Sequence, residues 1–514
     1  MRFIHKFPSV LFFLILFVTY SCDQEEPVIP VTSGYDEAFR PQTHFSSKYN
    51  WINDPNGLVY YDGEYHLFFQ HNPFGSGWGY MSWGHAVSED MINWEQLNVV
   101  MKPDALGDIF SGCVVIDTNN TAGFGENAMI AIYTSAGATQ SQSIAFSTDR
   151  GRTFVKYRGN PVLSNPGRPD FRDPNVLWYE PTQQWIMSLA TGKTISFYAS
   201  ANLKEWTKLS EFGSGMGAQG GVWECPDLIP MQYENETKWV LLVSINPGAP
   251  NGGSGTQYFI GDFDGKDFIP DTAPYPLWLD QGKDNYAGIT WKNVPESDGR
   301  ILQIAWMNNW EYAGSIPTYS SGGNGSRSSM TLPREITLAK HNGYFYLKNT
   351  VVTEINTIAN DWQVIADKAI DSAKDEQFSL ALGDKQSYHL HLNTSLISEQ
   401  ELEITLKNDA GELCQIIIDR PNNRLYFKRD KSGLVSFSNT FTQQVVSNFL
   451  QVNDAFTLDI YVDQSSIEII ANDGELTLTN QVFPSKLYNK ILFNLNTQTA
   501  QSFVKYRTLN SIWR

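Results

Sequence analysis

Three carboxylates stand apart from the other acidic residues by their surroundings: Asp54 in Asn53-Asp54-Pro55-Asn56-Gly57, Asp173 in Arg172-Asp173-Pro174, and Glu224 in Glu224-Cys225-Pro226. Each stands at the start of an apolar run, beside Pro or Cys-Pro. Proline fixes φ and removes a backbone donor, so it stiffens the chain next to the carboxylate. A single Asp-Pro is most often a turn; three such elements in register with a repeat mark a site. One chemistry that asks for such a set is glycoside cleavage. One carboxylate stays ionised and attacks the anomeric carbon, while another holds a proton for the leaving oxygen and then takes one from water. Crowding raises the proton affinity of at least one carboxylate, which suits an acid. A third carboxylate is free to bind sugar hydroxyls.

The three acids lie 119 and 51 residues apart, so the fold has to gather them. Two recurring features show how. The first is a Ser/Asp-rich turn followed by an aromatic, starting at Ser88, Ser147, Ser200 and Gly261, with separations of 59, 53 and 61 residues. The second is a polar element that opens an apolar strand, at Asn53, Phe110, Arg172, Glu224 and Asn285. Short alternating runs bounded by Gly, Pro, Asn and Asp dominate, and no long stretch keeps a helical period. An all-strand repeat of this length predicts propeller blades, and five openings predict five blades. The competing reading is a β-sandwich with accidental internal similarity. If each opening begins the innermost strand of its blade, Asp54, Asp173 and Glu224 converge at one end of the channel.

The pattern weakens over residues 349–365, which reads as a linker with a short helix. Alternation then returns in runs starting at Ser387, Leu402 and Phe456, with Asp473-Gly474 as a tight turn, and 366–514 reads as a β-sandwich. At the other end, an apolar run from Val10 to Val18 behind Arg2 and Lys6 reads as a signal-peptide core over 1–21. Ser21-Cys22 and the acidic residues after it resemble a lipoprotein cleavage site. This makes Cys22 the expected lipidated residue, 22–34 a tether, and a Gram-negative cell surface or periplasm the expected location. An ordinary signal peptide with an incidental cysteine is the alternative. The net charge of −18 argues against nucleic acid as a partner and leaves membrane contact to the lipid anchor. The four cysteines form no CxxC pair, and His66, His71 and His85 lack ligand spacing, so neither metal nor cofactor is expected. Cys225 has no nearby base to make it a nucleophile. Trp51, Trp83 and Trp223 suit blade packing as well as they suit sugar stacking.

The blocks WINDPNG from Trp51, FFQHNP from Phe68, WGHAVSEDMINW from Trp83, FSGC from Phe110, FRDP from Phe171, WECPD from Trp223 and LPRE from Leu332 resemble the signature blocks of glycoside hydrolase family 32. DQSSIEIIANDGE from Asp463 resembles a block of that family's sandwich domain. The resemblance implies an all-β chain with a five-bladed β-propeller over 35–348, followed by a C-terminal β-sandwich. It also implies a retaining, exo-acting enzyme that releases fructose from levan, inulin or sucrose. By position, Asp54 is the nucleophile, Glu224 the acid/base and Asp173 the transition-state stabiliser. Asn53, Gln70, Trp78, Ser111, Arg172, Tyr286 and Trp310 fall where the family binds the terminal fructose. Other readings are an endo-acting levanase, an inverting propeller glycosidase on arabinan or xylan, and a surface protein that binds fructan without cutting it.

Overall fold

The computed structural model describes residues 35–513 other than 321–324, 374–375, 384 and 451–453; the expected signal peptide, Cys22 and tether lie outside the described residues. The alternating runs of the first two thirds form five antiparallel sheets, each laid down mainly in chain order. The first consists of Trp51–Tyr61, Glu64–Asn72, Ser82–Ser88 and Glu95–Gln96. The innermost strands of the other four are Asp108–Asp117, Arg172–Tyr179, Val222–Tyr233 and Tyr286–Thr290. Each innermost strand packs beside the next, and the fifth packs beside the first, so the sheets close a five-bladed ring. Closure is sealed by backbone: Tyr60 N–H donates to Lys292 O at 2.9 Å, and Lys292 N–H donates to Leu58 O at 3.0 Å.

The Ser/Asp turns join the third and fourth strands of the first four blades. In each turn one short polar side chain caps freed backbone N–H groups, so the chain reverses without ladder bonds. Asp90 accepts from Ile92 and Asn93, Asp149 from Thr153, Asn202 from Lys204 and Glu205, and Asp264 from Lys266 and Asp267. The following aromatics, Trp94, Phe154, Trp206 and Phe268, pack into the apolar clusters of the propeller.

The last strand of the fifth blade, Tyr344–Val351, continues past residue 348, and the next strand begins at Gln363. The connection between them is therefore 352–362, narrower at both ends than the expected linker, and it holds one 3-10 turn at Thr353–Ile358. Two six-stranded sheets follow, face to face. One orders Gln363–Asp371, Thr499–Leu509, Ser387–Ser395, Ala455–Val462, Ser466–Ala471 and Leu476–Gln481. The other orders Glu376–Ser379, Lys490–Leu495, Glu401–Lys407, Leu413–Asp419, Arg424–Lys431 and Val445–Asn448. Period two decides the inner face: Tyr388, Leu390 and Leu392 are fully buried in a core shared by both sheets. Asn472, Asp473 and Gly474 turn the chain with φ of 50°, 53° and 89°.

The sandwich docks on the propeller through buried charge. His44 gives Nδ1 to Asp463 at 2.7 Å and Nε2 to Glu468 at 2.8 Å, Arg334 joins Glu468 to Asp280, and Arg429 meets Asp284 at 2.5 Å. Burial opposes a charge on His44, but the two carboxylates outweigh it and push the imidazole up to about 9. Every charge in this set has a partner, as burial requires.

Candidate active site

The site is built from one backbone device repeated around the channel. In every blade the innermost strand sets two residues against one on its neighbour, which is a β-bulge. Asn53 and Asp54 oppose Gln70; Phe110 and Ser111 oppose Thr134; Asp173 and Pro174 oppose Leu189; Cys225 and Pro226 oppose Val243; Ala287 and Gly288 oppose Ala305. Proline explains three of the five: Pro55, Pro174 and Pro226 have no N–H for the ladder, so pairing fails beside them. Asp173, Cys225 and Ala287 take left-handed φ of 61°, 46° and 55° there. The N–H groups released at the bulges are taken up by the preceding blade. Gly112 N–H donates to Asn56 Oδ1, Asp173 N–H to Thr134 Oγ1, Cys225 N–H to Asp173 Oδ2, and Ala287 N–H to Ser244 Oγ. Each bulge is thus locked to its neighbour, and side chains that a regular strand would bury between blades turn toward the channel.

The result is a cavity of about 310 Å³ lined by all three acids, together with Asn53, Gln70, Trp78, Phe110, Ser111, Arg172 and Trp310. Beneath it the channel is plugged by Pro55, Pro174, Cys225, Pro226 and Ile289, which leave only about 10 Å³. The pocket is blind.

The acids differ in their partners. Asp54 Oδ2 accepts Ser111 Oγ–H at 2.7 Å, and Oδ1 accepts Asn53 Nδ2–H at 3.1 Å. Asn53 is itself oriented by Trp51, whose Nε1–H donates to Asn53 Oδ1 at 2.7 Å. Glu224 Oε1 accepts two bonds from Arg172, at 3.2 Å from Nε and 2.8 Å from Nη2, and Oε2 accepts the Tyr286 hydroxyl. Asp173 is nearly covered, with Cys225 N–H on Oδ2 and Arg172 Nε at 3.9 Å. Burial pushes the Asp54 carboxyl up, helped by Glu224 and opposed by its bonds to Ser111, Asn53 and Cys225. Burial also pushes Asp173 up, to about 7, with Glu224 and Asp54 adding to the rise and Arg172 opposing it. Burial first, and the neighbouring acids second, thus make Asp54 and Asp173 harder to ionise than free carboxyls.

Of the expected sugar-binding residues, Asn53, Gln70, Trp78, Ser111, Arg172 and Trp310 all line the cavity. Gln70 is 2% exposed, and its Nε2 has no partner among the described residues. Trp78 is the most open aromatic of the wall, 53% exposed. Tyr286 is placed differently: it is buried, it is absent from the cavity wall, and its hydroxyl is spent on Glu224. Trp51, Trp83 and Trp223 are fully buried packing groups.

Two features of the site are missed by sequence reasoning. Cys225 forms the floor, with Sγ 3.6 Å from Asp54 Oδ2 and 3.7 Å from Asp173 Oδ2. Burial and the three carboxylates push its thiol well above the ordinary range, so it stays protonated and donates. The Tyr286–Glu224 bond spans 62 residues between bulges of different blades. Only the repeat, extended to the polar partners, could have suggested it.

A blind propeller pocket with three unlike carboxylates is the site of a glycoside hydrolase. The chain belongs to glycosyl hydrolases family 32: the model of the family's N-terminal domain matches residues 44–349, and that of its C-terminal domain matches 355–509. It is 41% identical over 514 residues to a levanase of Bacillus subtilis, covering 98% of this chain and 74% of that one. It is 39% identical to an extracellular exo-inulinase of Aspergillus niger over 93% of this chain and 96% of that one. The crystal structure of an exo-inulinase from Aspergillus awamori superposes with a TM-score of 0.85 at 35% identity, over 93% of this chain and 100% of the other.

Proposed function

We propose that the protein is an exported exo-β-fructosidase that removes terminal fructose from levan, inulin or sucrose with retention of configuration. The observation that carries this reading is the blind cavity of about 310 Å³ holding all three acids. That volume lies at the small end of the range for ligand pockets, about 300–1,000 Å³. A small pocket of this kind suits a single terminal sugar, and the exo-inulinase relatives favour attack at a chain end. The levanase and exo-inulinase relatives supply the sugar.

In the first step Asp54 attacks the anomeric carbon and forms a fructosyl ester, while Glu224 gives its proton to the departing oxygen. In the second, Glu224 takes a proton from water, which attacks the same carbon and releases Asp54. Ser111 and Asn53 donate to Asp54, which aims the carboxylate and favours its ionised form against the opposing effect of burial. Arg172 offers only donors, so the proton of Glu224 rides on Oε2, where the Tyr286 hydroxyl can accept as well as donate. Asp173 binds fructose hydroxyls and steadies the oxocarbenium-like transition state. Asn53, Gln70, Trp78, Ser111, Arg172 and Trp310 surround the sugar, and the unpartnered Gln70 amide is a ready donor to a hydroxyl. In this reading the N-terminal segment exports the chain and Cys22 carries the lipid anchor.

The test is incubation with levan, inulin and sucrose separately, following products over time and the anomeric form of the first fructose released. Free β-fructose alone at early times supports the reading. An early burst of longer oligosaccharides refutes exo action, and an inverted first product refutes Asp54 as nucleophile.

A further inference from the structure

Among the described residues Arg172 is the only cation bonded to the three acids, and it is shared. Its Nε and Nη2 go to Glu224 Oε1, while its third corner, Nη1, goes to Asp170 Oδ1 at 2.5 Å. Asp170 does not line the cavity. It stands two residues before Arg172, outside the innermost strand of the third blade. The chain there is fixed from two sides. Phe171 is fully buried, and its N–H donates to Gln140 Oε1 at 2.8 Å, from the second blade. The preceding loop is held by Asn165 Oδ1, which accepts from Gly167 and Arg168, and by Arg168 on Glu211. Asp170 is therefore a placed carboxylate rather than a free surface group, and its side chain is 26% exposed.

We propose, building on the function assigned above, that Asp170 is a positioning residue of the active site: it holds Arg172 in the rotamer that feeds Glu224 and draws part of the guanidinium's charge away from Glu224.

The geometry requires the first half. A guanidinium is a rigid planar fork, so fixing Nη1 fixes the direction of Nε and Nη2. Without Asp170 the far corner Nη1 keeps only the long 3.5 Å contact to the neutral Gln140 Oε1, and the neighbouring Asp173, 3.9 Å from Nε, competes for the fork. The second half follows from charge. Glu224 faces Arg172, Asp173, Asp54, Tyr286 and Cys225. Arg172 in turn faces Asp170, Asp173, Glu224 and the neutral Gln140. Neutralising Asp170 removes a negative charge from one side of the guanidinium and leaves the positive charge more fully to Glu224. The ionised form of the acid then becomes easier to reach, and its loss of a proton begins at lower pH. A unit charge about 7 Å away at an effective dielectric near 20 is worth between about one and two pH units. The intervening guanidinium and nearby water reduce this to roughly half a unit to one unit.

The experiment compares the wild type with Asp170→Asn and Asp170→Glu, full length, on sucrose across pH. The inference expects Asp170→Asn to raise KM about tenfold with kcat at its optimum within about threefold. It also expects the basic limb of kcat to move about half a unit to one unit toward acid, and Asp170→Glu to bring the limb back. A limb and KM unchanged in Asp170→Asn overturn the proposal; so does an equal loss of kcat in both variants with no movement of the limb, which marks a purely structural role. A second readout needs no turnover. The protonated-carboxyl infrared band that Glu224→Gln removes is titrated in wild type and in Asp170→Asn. A lower midpoint in Asp170→Asn supports the proposal, and an unchanged midpoint sinks it. Should the wild type release no fructose from any of the three substrates, the assigned function fails, and the infrared titration still decides the role of Asp170.

Discussion

Replacing Asp173 with Asn should cost the enzyme its activity and make the fold more stable at neutral pH. Asp173 is covered on almost every side, and burial together with Glu224 and Asp54 pushes its carboxyl from 3.8 to about 7. A carboxyl whose folded value is raised destabilises the fold wherever it must ionise. The native state gives no penalty below the unfolded value near 4, loses stability as pH climbs from about 4 to about 7, and is flat beyond. A rise of about three units at 1.36 kcal/mol each gives a ceiling of about 4 kcal/mol above pH 7. Asn removes that penalty. Its Oδ1 can still accept the Cys225 N–H, and its Nδ2 becomes a donor toward the neighbouring carboxylates. Taking about 2.1 cal/mol/K of unfolding entropy per residue over the matched domain 44–349, that ceiling corresponds to a rise in Tm of about 6 °C, and nearer 4 °C if both domains melt together. Scanning calorimetry of both proteins at about pH 4 and pH 7.5 is the assay. The gain belongs at the higher pH alone. A gain of equal size at both values, or a loss at pH 7.5, would show that Asp173 is not held against its own ionisation, and the reasoning would fail.

Glu224→Gln should lower kcat by about a thousandfold or more while a chain end still binds; normal turnover would remove Glu224 from the acid/base role. Ser111→Ala deletes the 2.7 Å donor to Asp54, so the acid limb of kcat/KM should move to higher pH and the rate should fall about 10- to 100-fold; an unmoved limb would separate Ser111 from the nucleophile. His44 is raised from 6.5 to about 9 by Asp463 and Glu468, so the stability it contributes is complete below about pH 6.5 and lost as pH rises through 9. His44→Gln should cost about 3–5 kcal/mol near pH 7, the usual cost of breaking a buried ion pair, and should flatten the alkaline decline seen in the wild type; a parallel decline in both proteins would place its origin elsewhere.

The repeat was legible because two local rules recur. Asx-type turns need Asp or Asn followed by backbone donors, and bulged strand starts need proline or a small residue. Both leave residue types at fixed offsets, so Asp90, Asp149, Asn202 and Asp264, and likewise Pro55, Pro174 and Pro226, can be read along the chain. The acids follow, because Asp54 and Asp173 sit on the bulges and Glu224 directly precedes one. What could not be read is whatever depends on pairing between blades or domains. The bond from Tyr286 to Glu224, the donor role of the Cys225 floor, and the bracket of Asp463 and Glu468 around His44, more than 400 positions earlier, are set by distance in space. The exclusion of Cys225 as a nucleophile is supported by its raised thiol. The two readings of Trp51, Trp83 and Trp223 resolve as packing: all three are fully buried, Trp51 against Trp306, Trp83 against Tyr133 and Trp223 against Phe259.

The five bulges share geometry but not residue type, and that asymmetry is where the chemistry lies. Blades one, three and four bring acids to the rim: Asp54, Asp173 and Glu224. Blades two and five bring neutral hydroxyls, and each serves one acid: Ser111 donates to Asp54, and Tyr286 donates to Glu224. Among the described residues Asp173 receives no hydroxyl; it has the Cys225 backbone N–H and thiol and the edge of a shared arginine. A ring of five acids would leave most of them protonated, because like charges in a dry pocket cannot all ionise. A ring with one acid would have no division of labour. Two hydroxyls placed among the three acids give Asp54 a donor that favours its ionised form, give Glu224 a partner that tolerates either protonation state, and leave the third carboxylate to the sugar hydroxyls. On this argument Ser111 and Tyr286 are as much a part of the catalytic design as the acids they face. Exchanging the two hydroxyls for apolar groups together should cost more than the sum of the single changes, because both acids compete for the same scarce proton.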